Sequence, residues 1–88
     1  MIGNAKEYMN NYLIYEGEYV DGMRNGKGKE YRHEKDFYIY DGEFLNGERN
    51  GKGKEYSILG NLIYEGEYLK GKRHGKGKQY NLYMEENS

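Results

Sequence analysis

The residues in this chain best suited to chemistry are lysines set between glycines. "GKGK" occurs at 26–29, 51–54 and 75–78, and a glycine-flanked lysine is the raw material of a phosphate-gripping loop. A nucleotide site needs more: GxxxxGK followed by Ser or Thr, after a strand and at the start of a helix. Backbone N–H groups and the helix N-terminus then cradle the phosphate. No Ser or Thr follows any of these lysines, and no helical spacing follows the loop. The second candidates are carboxylates two apart, Glu16/Glu18, Asp41/Glu43 and Glu65/Glu67. A general acid–base pair is singular and tuned by its surroundings, whereas these recur with a period, as scaffold residues do. Two histidines, His33 and His74, with no cysteine make no zinc site. The expectation is no catalytic residue, no metal and no cofactor.

Composition narrows the class further. The chain has 88 residues, 12 of them Tyr and 14 Gly, with no Cys and no Pro. Leu, Ile and Val together number only 12, too few for a central aliphatic core against the cost of ordering the chain. Disorder would require high net charge and few aromatics, yet the net charge is −1 and aromatic content is 16%. A fold built on tyrosine follows, each unit packing on its neighbours. Balanced charge argues against a nucleic-acid binder. No apolar run reaches a membrane span, and the start, "MIGNAKEYMNNY", lacks the features of a signal peptide. These point to a soluble cytoplasmic protein.

The elements that position these residues come from a repeat. "YEGEYVDGMRNGKGKEY" (15–31) recurs as "YDGEFLNGERNGKGKEY" (40–56) and "YEGEYLKGKRHGKGKQY" (64–80), the starts 25 and then 24 residues apart. Such a period marks stacked supersecondary units. The frame sets Gly17, Gly22, Gly26 and Gly28 in the first copy, Gly42, Gly47, Gly51 and Gly53 in the second, and Gly66, Gly71, Gly75 and Gly77 in the third. "GNAKEY" (3–8) reads as a worn half-copy with Ala5 in a glycine position. Each copy predicts a β-hairpin: alternation in "LIYEGEY", a turn from 69 or 70 to 74, and "GKGKEY" as the returning strand. Strand glycines mark the close approach of something bulky, and the neighbouring rings are the candidates. Gly60-Asn61 predicts an opposite turn. The division is 1–14 as a half-repeat cap, 15–39 and 40–63 as repeats with links, 64–80 as the third repeat, and 81–88 as a tail.

The pattern Y-x-G-x-aromatic-x-x-G-x-x-x-G-x-G resembles the MORN (membrane occupation and recognition nexus) repeat, in three copies over 15–31, 40–56 and 64–80. The links are longer than the family's usual spacing, most of all at 33–39. The resemblance implies an all-β fold: an elongated, twisted single sheet of antiparallel β-hairpins. It also implies a scaffold or interaction module, with protein partners or acidic phospholipids as ligands and a place at a membrane or cytoskeleton for some members. Fold transfers better than function.

Three surfaces then stand as binding candidates. The aromatic stripe Tyr15, Tyr19, Tyr40, Phe44, Tyr64 and Tyr68 offers interface-prone area, or its rings simply cover glycines and hold the array. The third copy carries Lys70, Lys72, Arg73, His74, Lys76 and Lys78 with no acid, an anion- or lipid-binding patch or an ordinary basic edge. Glu16/Glu18 with Lys27/Lys29, and their counterparts, would form cross-strand ion pairs in one strand register. The reading is a non-catalytic adaptor that binds a protein partner through the aromatic face. Its alternatives are acidic-phospholipid recognition by the third repeat and an accessory array of a larger enzyme, although Met1 and the polar tail are what a complete chain would carry. Open sheet edges also raise homodimer formation.

Overall fold

The computed structural model describes residues 2–31 and 38–80. They form one seven-stranded antiparallel sheet in which the strands lie in chain order. β1 is Ile2–Met9, β2 Tyr12–Val20, β3 Met23–Tyr31, β4 Tyr38–Leu45, β5 Glu48–Tyr56, β6 Leu62–Leu69 and β7 Lys72–Gln79. The all-β, single-sheet hairpin array expected from the repeat is what the chain adopts. The link at 32–37, which contains His33, and the tail 81–88 lie outside the described residues.

Hairpin geometry is set by two-residue turns. Asn10-Asn11, Asp21-Gly22, Asn46-Gly47 and Lys70-Gly71 all have positive φ at both central residues, the conformation that matches the twist of paired strands. The turn anticipated from 69 or 70 to 74 is therefore shorter: β7 resumes at Lys72. Asn25-Gly26 and Asn50-Gly51, which read as turn signals, sit inside β3 and β5. There Gly26 and Gly51 take φ of 89° and 93°, and the register slips opposite them, between Gly17 and Tyr19 and between Gly42 and Phe44. These are bulges, which need glycine's freedom. Glu18 and Glu43 stabilise them by accepting the backbone N–H of Lys27 and Lys52, each at 2.9 Å. The turn opposite the hairpin tips spans 57–61, where the Gly60 N–H donates to the Ser57 carbonyl at 2.9 Å.

The register aligns the frame residues into rows across the sheet. Ala5, Gly17, Gly28, Gly42, Gly53, Gly66 and Gly77 stand side by side from β1 to β7. Tyr15, Tyr40 and Tyr64 lay their rings over Gly28, Gly53 and Gly77 respectively. A Cβ at Gly42 would come within 2.5 Å of the Gly53 Cα, so the row must stay bare for neighbouring backbones to meet. Each covering ring lies over the strand that follows its own. β1 precedes the first such ring, so no ring of this set covers Ala5.

The core is this aromatic layer. Tyr15, Tyr40, Phe44, Tyr64 and Tyr68 are buried, with Tyr19 packed against them. The rings zigzag edge-to-face, Tyr19 to Tyr15 to Phe44 to Tyr40 to Tyr68 to Tyr64, with centroids 5.0–5.5 Å apart. Edge-to-face pairs of this kind contribute about 0.5–1.5 kcal/mol each beyond burial. The Tyr15, Tyr40 and Tyr64 hydroxyls donate to the carbonyls of Glu18, Glu43 and Glu67, so none of these three phenols is buried without a partner.

Candidate functional site

Strand alternation divides the side chains between two faces of opposite character. Above the rings lies a layer of arginine and glutamate. Arg24, Arg49 and Arg73 place their guanidinium carbons 4.4, 4.4 and 4.3 Å from the ring centroids of Tyr15, Tyr40 and Tyr64. This is cation–π range. Arg24 is gripped in bidentate fashion by Glu7 at 2.9 and 3.0 Å and also approaches Glu30 at 3.4 Å. Glu30 bridges on to Arg49 at 2.7 Å, and Glu55 takes Arg73 at 2.9 Å and the Tyr68 hydroxyl at 2.5 Å.

Titration reflects this packing. Burial pushes the Tyr15 and Tyr40 phenols up to about 12. The Tyr68 phenol rises further, through burial and then its bond to Glu55. Burial also raises the Glu55 carboxyl, but the hydrogen bonds from Arg73 and Tyr68 outweigh it and hold Glu55 below the ordinary carboxylate value. These shifts belong to a closed structural layer. They do not set up an acid and a base facing a cleft.

The closed layer corrects the expectation that the aromatic stripe forms a docking surface. Five of the six residues, Tyr15, Tyr40, Phe44, Tyr64 and Tyr68, are at most 6% exposed. One sheet without helices must bury its apolar side chains against each other, and the arginines then roof them. Only Tyr19 keeps partial exposure. The basic patch is corrected too. Lys70 occupies the turn, Arg73 turns to the aromatic face against Glu55, and Lys76 and Lys78 line the other face. Residues 73 and 76 straddle the strand's alternation, so the six do not make one surface.

The opposite face is concave. A groove of about 710 Å³ runs across β3 to β7, floored by the backbones of Gly42, Gly53, Gly66 and Gly77 and walled by lysines and carboxylates. The sheet register alternates in sign: Lys6, Glu16, Lys29, Asp41, Lys54, Glu65 and Lys78 form one row, of which the last four line the groove. The cross-strand arrangement expected of Glu16 with Lys29 is thus present as register. Glu18 and Glu43, by contrast, spend a carboxylate oxygen on the bulge N–H, a role that side-chain charge alone does not reveal.

The arginine–glutamate roof is the part that sequence reasoning missed. Its signal was available, since Arg24, Arg49 and Arg73 hold one frame position and Glu7, Glu30 and Glu55 another.

An open sheet of in-register hairpins with a repeat-built core defines a tandem-repeat protein. The family model for the MORN repeat matches residues 15–33, 40–58 and 64–80, more than half of the chain, and the chain belongs to the MORN-repeat family. The family is generally non-catalytic and is known in protein- and membrane-interaction modules. No curated protein and no solved structure matches the chain.

Proposed function

We propose that this chain is a non-catalytic adaptor that holds a protein partner against its charged, grooved face. The observation behind this reading is the division of labour between faces: the aromatic side is filled by its own rings and arginines. The opposite side is concave, glycine-floored and lined by Lys27, Lys52, Lys54, Asp41, Glu43 and Glu65 among others. Alternating charge on a rigid floor favours a partner segment of matching alternation and disfavours mismatched ones, which gives specificity more than raw affinity. Balanced charge in the groove gives little attraction to a uniformly anionic membrane surface. A cytoplasmic setting, peripheral at a membrane or cytoskeleton, fits such an adaptor.

The test is a pull-down with the full chain as bait. Wild type is compared with Lys52→Glu/Lys54→Glu, which alters the groove, and with Tyr68→Phe, which touches only the core. The groove variant loses the partner while Tyr68→Phe keeps it, both having wild-type far-ultraviolet dichroism. Equal capture by the groove variant, or binding only to acidic phospholipid vesicles, overturns the proposal.

A further inference from the structure

The outer edge of β7 is unlike any interior strand of its kind. β3 and β5 each have a strand of the aromatic–acid–Gly–acid–aromatic type along the side facing away from their own hairpin, namely Tyr40–Phe44 of β4 and Tyr64–Tyr68 of β6. β7 repeats the Gly-Lys-Gly-Lys run of β3 and β5 as Gly75-Lys76-Gly77-Lys78, followed by Gln79, yet no described strand lies beyond it. Its residues are exposed throughout, whereas the matching Gly28 and Gly53 are buried. Arg73 is likewise more open than its counterparts, with 37% side-chain exposure against 19% for Arg24 and 20% for Arg49. One backbone bond made by each following hairpin also has its acceptor counterpart here. Gly47 and Gly71 donate to the carbonyls of Arg24 and Arg49 at 2.9 Å, and the corresponding carbonyl on β7 is that of Arg73.

The interior register specifies what would fit. Between β5 and β6, Gly51 faces Tyr68, Lys52 faces Glu67, Gly53 faces Gly66, Lys54 faces Glu65 and Glu55 faces Tyr64. Transferred to β7, a strand running antiparallel would set an aromatic at Gly75, acids at Lys76 and Lys78, glycine at Gly77 and a second aromatic at Gln79. We infer that the β7 edge captures, in trans, an extended strand of the type aromatic–acid–Gly–acid–aromatic from a partner protein, by strand addition to the sheet. Main-chain hydrogen bonds supply the affinity and the alternate side chains the selectivity.

Charge selects against the chain's own edges. Two β7 edges meeting with Gly77 against Gly77 would oppose Lys76 to Lys78 twice, and like charges directly opposite each other repel. The β1 edge in the same alignment sets Lys6 against Lys76 and has Ala5 in place of glycine. The strands that do carry the right pattern, β2, β4 and β6, are already paired on both sides. This inference goes beyond the grooved-face reading, because it concerns the sheet's rim and a defined partner sequence.

The experiment titrates a synthetic peptide of sequence LIYEGEYL, identical to β6, into the full chain, with calorimetry and amide hydrogen exchange as readouts. Expected are saturable binding and slowed exchange in Lys72–Gln79. The peptide LIYKGKYL binds about tenfold or more weakly, from two cross-strand pairs turned repulsive. Lys76→Glu/Lys78→Glu, at exposed positions, reverses that preference. Lys52→Glu/Lys54→Glu leaves peptide binding intact, which separates this edge from the groove. Absence of binding, equal binding of both peptides, or protection at Ile2–Met9 in place of β7 overturns the inference.

Discussion

At Gly42 a single methyl group is enough to push two strands apart. The added Cβ would stand 2.5 Å from the Gly53 Cα and 2.6 Å from the Lys52 carbonyl oxygen. Neither is the end of a flexible side chain, so Gly42→Ala is expected to cost about 3 kcal/mol, the upper range of overpacking. Gly22→Ala meets nothing within 4 Å and suffers only from its φ of +82°, a cost of about 1 kcal/mol. Urea denaturation checks the ordering, and equal midpoints for the two variants would refute the packing account. Lys70 offers the reverse case. It holds φ of 51° at a turn position where the other hairpins have Asn10, Asp21 and Asn46. Asn tolerates the left-handed region far better than a long aliphatic stem. Lys70→Asn should therefore stabilise the chain by about 0.5–1 kcal/mol, read as a higher denaturation midpoint at unchanged slope.

Within each hairpin, one arginine closes the unit over its tyrosine and ties it to the neighbouring unit. Arg49 stacks on Tyr40 while bonding Glu30 of the preceding copy. A lysine in its place keeps the charge and loses the planar, fork-shaped contact. Arg49→Lys is expected to cost about 1–2 kcal/mol, and Arg73→Lys less, since Arg73 is more exposed. Thermal melts of the two variants give the comparison, and a larger loss at Arg73 would contradict it. The same elements indicate what the sequence could disclose. Glycines and aromatics at fixed spacing, the strand pairing and the two-sided alternation were readable because the repeat shows them three times. The aromatic stripe's fate was not, because its spacing is the same whether the rings stay open or are roofed by Arg24, Arg49 and Arg73. The split of the basic residues was hidden by the turn's assumed length. Carrying the turn to His74 leaves Arg73 without a face, while resuming the strand at Lys72 assigns it at once. Asn25-Gly26 and Asn50-Gly51 misled for a related reason: a bulge and a hairpin turn ask for the same residues.

At the scale of the molecule, a sheet measuring 49 × 31 × 14 Å has one layer of buried rings and, among the described residues, no second core, so ionising that layer should open the sheet. The Tyr15 and Tyr40 phenols are raised from 10.0 to about 12. A raised folded-state value means that the neutral phenol is favoured by folding. Its contribution is complete below pH 10 and is lost as pH climbs through about 12. Glu55 works in the opposite sense. Its folded value lies below the ordinary 4.5, so its contribution is in place above that pH and is lost as pH falls through the folded value. Stability should therefore hold between these limits and drop on both sides. On the alkaline side, loss of strand ellipticity should coincide with the tyrosinate absorbance of the buried Tyr15 and Tyr40, read as the part of the signal that Tyr15→Phe/Tyr40→Phe lacks. Replacing the two phenols by Tyr15→Phe/Tyr40→Phe removes two of the raised groups, together with their bonds to the Glu18 and Glu43 carbonyls. The variant is thus expected to be less stable at neutral pH, by about 1 kcal/mol for each lost bond, but to lose less of its stability between pH 10 and 12. If the tyrosinate of Tyr15 and Tyr40 forms near pH 10 with the ellipticity unchanged, the rings are reached by solvent without opening the sheet, and the aromatic layer does not hold the repeats together.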